Sequence, residues 1–239
     1  MGTTYPYVVD ANTLALVNFE ENTGTTAADD TANNYDFTLS NSAAWSSTHK
    51  WGDYAFYPNA AYNATQATLL DTPPAALTVE MFVNFDVNWP TGGSPLRLFG
   101  KYNIVAAKDD RLYSLIYDTS GVWTTVMTTA ADGGKSISLS STTTAWTAGT
   151  WYHLAVTYGA TGAHMYVNGI EEDSDAGTWI MANGTHADFY LGTMSDNNLW
   201  FDGKIDEFRV SDVQRTDFTG PAPAVGGMMT PRTKWWGDI

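Results

Sequence analysis

The stretch "GTWYHLAVTYGATGAHMYVNGIEE", residues 149–172, reads as three strands joined by two bends. From Trp151 to Tyr158 it is aromatic, β-branched and apolar, the composition of a pleated, half-buried surface. Gly159 and Gly162 supply the first bend. Asn168-Gly169 supplies the second, because a type I′ turn needs positive φ at both central positions and Asn-Gly accepts that. The run from Trp151 to Glu171 is therefore expected to be a three-strand antiparallel meander.

The same signal recurs outward along the chain. "TLALVNF" (13–19), "LTVEMFVNF" (77–85), "LRLFGKY" (96–102), "LYSLIYD" (112–118), "VWTTVMTT" (122–129), "SISLSS" (136–141), "DFYLGTM" (188–194) and "KIDEFRV" (204–210) are short apolar or alternating runs. Clusters of Gly, Asn, Asp, Thr and Pro separate them. No run of ten residues keeps a helical period; "SDVQRTDF" (211–218) reads as one short helical turn at most. Many short strands at close spacing predict an all-β sandwich or barrel. Three segments follow: an N-terminal extension over 1–12, a β domain over 13–218, and a Pro- and Gly-rich tail over 219–239.

One residue conflicts with this pattern. In "FDGKIDEFRVSD" (201–212), Asp206 is in phase with Phe208 and Val210, so strict alternation points its carboxylate at the core. A buried carboxylate is costly unless it is paired, hydrogen-bonded or bound to a metal.

Composition excludes several classes. The net charge is −15, from 26 acidic and 11 basic residues, which argues against nucleic acid as a partner. No apolar run approaches the about 20 residues that a membrane span needs, so no membrane insertion is expected. "MGTTYPYVVD" lacks the basic and apolar regions of a signal peptide. With no Cys, neither disulfides nor thiol chemistry enter.

Several segments together resemble laminin-G-like domains of concanavalin A-type jelly-roll fold. "LVNFEENTGTTAADDTANNYDFTL" (16–39) is similar to their opening strand and loop. "LTVEMFVNF" is similar to their Glu-containing strand, with Phe82 where Trp is usual. Residues 149–172 resemble their central hairpin, and "FDGKIDEFRVSDVQRT" their closing strand. The resemblance covers residues 14 to 217 and implies a two-sheet antiparallel jelly-roll sandwich. It also implies a structural Ca²⁺ joining the first and last strands. Its ligands here would be Glu20, Asp206 and a backbone carbonyl near Gly52, with Glu21 as a second candidate for the first acid. Such an ion would offset the cost of Asp206; hydrogen bonds to backbone amides or to an Arg are the alternative.

The resemblance is weak for function, because this fold hosts lectins, adhesion modules, hydrolases, lyases and viral appendages. The Glu-x-Asp-x-Glu hydrolase motif is absent, and "GIEEDSDAG" (169–177) lacks its spacing. Trp151 is expected in the core and His153 as a locally hydrogen-bonded strand residue. Catalysis is therefore not expected, and binding is. Sugar recognition needs aromatic faces and short polar side chains on loops. Trp89, Trp123, Trp179, Asp196, Asn197 and Asn198 are the candidates, and for each Trp the alternative is a core role. The expected partner is a glycan or polysaccharide, outside a cell or on a virion. The second reading is structural: a component of a virus particle or homo-oligomer, docked through Trp235 and Trp236, since paired exposed Trp make good interface anchors.

Overall fold

The computed structural model describes residues 7–40, 45–58, 63–91, 95–102, 111–116, 120–128, 136–177, 188–193 and 200–218. Among these, the chain forms strands and no helix; after Ser211 the chain bends at 212–213 and carries no helical turn through 218. In chain order the strands are β1 (Thr13–Val17), β2 (Thr26–Ala27), β3 (Phe37–Leu39), β4 (Trp45–Ser46), β5 (Ala55–Phe56) and β6 (Ala64–Gln66). The longer strands follow: β7 (Leu77–Phe85), β8 (Leu96–Tyr102), β9 (Arg111–Ile116), β10 (Trp123–Thr128) and β11 (Ser136–Ser140). Last come β12 (Trp151–Gly159), β13 (Gly162–Val167), β14 (Ile170–Asp175), β15 (Phe189–Leu191) and β16 (Gly203–Ser211).

They make two antiparallel sheets of a sandwich. The first runs β14-β13-β12-β7-β16-β5-β4, with β1 also on β16. The second runs β11-β10-β9-β8-β15-β6-β3-β2. The expected meander is β12-β13-β14, and its second turn holds Asn168 at φ 51° and Gly169 at φ 79°. The core fills the space between the sheets. Phe208 of β16 meets Phe37 and Phe189 of the second sheet at 5.6 Å between ring centres.

The outer face of the first sheet is also covered. Glu80 is 1% exposed there and accepts hydrogen bonds from Arg209 Nε (2.8 Å) and Nη2 (2.7 Å), with His153 Nε2 at 3.1 Å. Tyr7 lies over the Arg209 guanidinium at 3.9 Å, and Phe218 packs against His153 and Tyr166. His153 is thus hydrogen-bonded within the fold, as expected. Trp151 is not in the core: it is half-buried on this outer face, and Tyr152 is the neighbour that packs inward on Phe85 and Trp146.

Candidate functional site

Asp206 is fully buried, but not on the face that strict alternation gives it. Asp206 pairs with Phe82 and Arg209 with Glu80, so Glu207 and Phe208 together oppose Met81. This is a β-bulge, and Glu207 takes the left-handed backbone at φ 51°. The extra residue puts Phe208 into the core while Asp206 stays on the outer face with Phe82. The period-2 reading is corrected here because a bulge inserts one unpaired residue. Burial of Asp206 comes instead from the loop before β5. Lys50 N–H (2.7 Å) and Trp51 N–H (3.0 Å) both donate to its Oδ2.

The pocket exists because β16 changes partner at this point. β1 pairs with Phe208 through Ser211, and β5 pairs only with Ile205. Asp206 and Glu207 lie between these two pairings, and Asp206 faces the loop before β5. Non-glycine left-handed residues collect here: Phe19 (φ 58°) and Asn22 (φ 59°) lie in the exit of β1, beside Glu207 on β16. Such conformations cost about 1–3 kcal/mol each and cluster at functional sites.

Glu20 closes the pocket on the β1 side. Its Oε2 accepts from Asp53 N–H at 2.8 Å and its Oε1 from Tyr54 N–H at 3.4 Å. Gly52 is required by contact: a Cβ there would lie 1.8 Å from Glu20 Oε1, and its φ is 72°. Glu21 accepts instead from Ala28 N–H at 2.9 Å. Burial, opposed by its backbone hydrogen bonds, raises the Glu20 carboxyl above its ordinary range. Burial pushes Asp206 up to about 7 with Glu20 adding repulsion, and its backbone donors work against the rise. Glu207 is pushed up to about 10 by burial and then by Asp206, Glu20 and Asp30. Asp206 Oδ1 and both Glu207 oxygens are buried without a hydrogen-bond partner. Among the described residues, no three His, Asp or Glu side chains are already gathered as metal ligands.

A second surface lies on the outer face of the other sheet. Register aligns Thr26, Thr38, Thr65, Tyr190, Gly100, position 113, Val126 and Ser138 in one row across eight strands. At about 4.8 Å per strand the row is roughly 30 Å long. Tyr190 and Thr65 are half-buried, and Thr26, Thr38 and Ser138 are exposed. The described side chains of the row carry hydroxyls, one phenol and one valine, and no charge. Gly100 leaves a low point beside Tyr190. No single run announces this row; the alternation in "SISLSS" and "FTL" holds part of it.

Two of the three expected ligand-binding tryptophans are corrected. Trp89 is 6% exposed and Trp123 is 1% exposed, both in the core cluster. The indole N–H of Trp123 donates to Ser114 Oγ, inside the sandwich. Neither ring face is open to a sugar. Trp179, Asp196, Asn197, Asn198, Trp235 and Trp236 lie outside the described residues. The acids of "GIEEDSDAG" tie the sheets at their edge: Asp173 accepts from Ser140 N–H, and Glu172 from Thr143 N–H.

Comparison with known proteins agrees with this architecture. Among solved structures, the binding domain of Paraclostridial Mosquitocidal Protein 1 superposes with a TM-score of 0.62 at 12% identity, covering 85% of this chain and 49% of that one. The Trypanosoma rangeli sialidase gives 0.60 at 12% identity, covering 89% of this chain and 32% of that one. Domain 4 of AbnA, a GH43 extracellular arabinanase from Geobacillus stearothermophilus solved with arabinotriose, gives 0.54 at 22% identity, covering 88% of this chain and 97% of that one. The chain thus spans about a third of the sialidase and about half of the mosquitocidal domain. At these identities the likeness shows the fold. A search of curated proteins found no match. The laminin-G family model, described as concanavalin A-like lectin/glucanases superfamily, matches residues 57–217, about two thirds of the sequence. The chain belongs to the concanavalin A-like lectin/glucanases superfamily.

Proposed function

We propose that this domain is a non-catalytic glycan-binding module acting outside a cell or on a virion, with the outer face of the second sheet as its contact surface. The observation that carries this is the uncharged row of hydroxyls around Tyr190, in a protein whose net charge is −15. An aromatic ring stacks on the C–H faces of a sugar, and short hydroxyls bond its OH groups. A neutral, extended saccharide matches a long row without charge. The arabinotriose bound by the arabinanase domain supports the reading, as do the neighbours that are binding domains.

We further propose that Ca²⁺ steadies the domain at the Asp206 pocket. The resemblance assigns the ion to Glu20, Asp206 and a carbonyl near Gly52. Asp206 fits a hard cation, since its Oδ1 is buried and without a partner. When bound, the ion supplies charge neutralisation and a tie between the two ends of the domain.

A glycan array with the full chain, with and without Ca²⁺, tests the first reading. Tyr190→Ala is expected to weaken the best neutral-glycan signal by up to about tenfold, given about 0.5–1.5 kcal/mol for a stacked ring. The melting temperature should change little. Undiminished binding by this variant, or release of shortened saccharide by the wild type, would overturn the proposal.

A further inference from the structure

We infer that the carboxylate completing the cation pocket beside Asp206 is Glu207, and that Glu20 clamps the loop before β5 instead of ligating the ion. This rests on the calcium reading above and revises its ligand set.

The argument follows the uncommitted oxygens. Glu20 has given both of its oxygens to backbone N–H groups, of Asp53 and Tyr54. Its Oε1 is also pressed against the backbone at Gly52, where not even a Cβ would fit. Asp206 has given Oδ2 to Lys50 and Trp51 and retains Oδ1. Glu207 is 0% exposed and has given neither oxygen to any group. Asn18 adds a fourth bare acceptor near β1: its Oδ1 is buried and unpartnered, while its Nδ2 donates to Asp30 at 2.5 Å.

Among the described residues no donor is bonded to either Glu207 oxygen, although the Trp51 indole N–H and the Tyr7 hydroxyl are also buried without a partner. Asp206, Glu20 and Asp30 all act on it with like charge. The cation that acts on it is Arg209, whose Nε and Nη2 are both held by Glu80. A buried carboxylate without partners is costly. A bulge held in left-handed backbone is a device for re-aiming a side chain, and here the residue it carries is Glu207. Bare carboxyl oxygens suit a hard divalent cation, whose charge would offset the burial that raises both groups. Ca²⁺ suits them better than Mg²⁺, because it accepts irregular sets of about six to eight oxygens and sheds water readily. Backbone carbonyls and water would fill the positions that two carboxylates leave.

Terbium titration of the full chain, with Ca²⁺ as competitor, tests the assignment. Trp51 is the near sensitiser, since its own backbone N–H is bonded to Asp206. Wild type is expected to show saturable luminescence that Ca²⁺ displaces. Glu207→Gln and Asp206→Asn should each weaken Ca²⁺ competition by about tenfold or more, as loss of a charged ligand does. Glu20→Gln should stay within about threefold of wild type, yet speed amide exchange at Asp53 and Tyr54. Near-ultraviolet dichroism from buried Trp123 and Trp146 confirms the fold of each variant. Should Glu207→Gln lose that signal, Glu207→Asp is titrated in its place, and undiminished affinity there overturns the inference. So does wild-type affinity in a folded Glu207→Gln, or a loss in Glu20→Gln as large as in Asp206→Asn. If wild type itself shows no displaceable luminescence, the calcium reading falls first and the ligand assignment falls with it.

Discussion

Glu80 shows how one buried acid sets the acid stability of this sandwich. Burial works to raise its carboxyl, but the hydrogen bond from His153 and the charge of Arg209 outweigh it and hold the carboxyl below the ordinary value of 4.5. A folded value below the unfolded one means that the contribution is complete above the ordinary carboxylate range. It is lost as pH falls through the folded value. Wild type should therefore lose urea resistance between about pH 5 and pH 3, and Glu80→Gln should lose less over that window. At neutral pH the same variant should be less stable by about 3–5 kcal/mol, because Arg209 is left buried without its partner. Equal acid sensitivity in both proteins would contradict this. At this scale the sequence showed the types of the important acids but not their direction. Asp206 and Glu207 are adjacent and both fully buried because both faces of this sheet are covered, as they are along β7. The bulge decides which way each points, and nothing in "KIDEFRV" marks it. The tryptophans misled for a simpler reason: Trp89 and Trp123 sit at loop–strand borders in sequence, yet their bulk fills the interior.

Among the elements, the loop before β5 depends on its neighbours most directly. It has no sheet ladder of its own. Four of its N–H groups end on two carboxylates, one from the exit of β1 and one from β16. Gly52 is the residue that lets the chain pass against Glu20. Gly52→Ala faces both a left-handed φ of 72° and a contact of 1.8 Å with Glu20 Oε1. The backbone penalty alone is about 1–2 kcal/mol. Displacing Glu20 adds the loss of its hydrogen bonds, about 1 kcal/mol each. The expected outcome is a denaturation midpoint lowered by that sum with an unchanged slope, plus faster exchange at the amides of Asp53 and Tyr54. A midpoint equal to wild type would mean that the loop is not pinned by Glu20. The elements themselves were largely legible. The β12-β13-β14 meander follows from alternation and Asn168-Gly169, because both are local signals. The face row around Tyr190 was not, since it joins residues from eight strands and register is a long-range property.

For the molecule as a whole, the decisive fact is that the last strand lies inside the first sheet. β16 is flanked by β7 on one side and by β1 and β5 on the other, and its Phe208 reaches the aromatic cluster of the second sheet. The family resemblance made the sandwich readable, but the closure of chain start on chain end needs the strand order. Two consequences follow from placing β16 in the middle. Its absence would leave β7 with an open edge and expose the apolar residues Ile205, Phe208 and Val210 pack against. It would also remove the buried partner of Glu80, Arg209. Losing three core side chains at about 2–5 kcal/mol each costs as much as the roughly 5–15 kcal/mol that holds a typical domain together, and the lost ion pair adds to it. A chain ending at Asp202 is therefore expected not to fold: no near-ultraviolet dichroism, no cooperative melt, and aggregation through the bare edge of β7. Because the pairs that β16 makes with β1 are far apart in sequence, refolding of the full chain should also be slow, on the order of milliseconds to seconds. Stopped-flow fluorescence from Trp123 and Trp146 reads both results. A cooperative melt from the shortened chain would show that β1 and β5 close on β7 unaided, and that β16 is dispensable to the sheet it occupies.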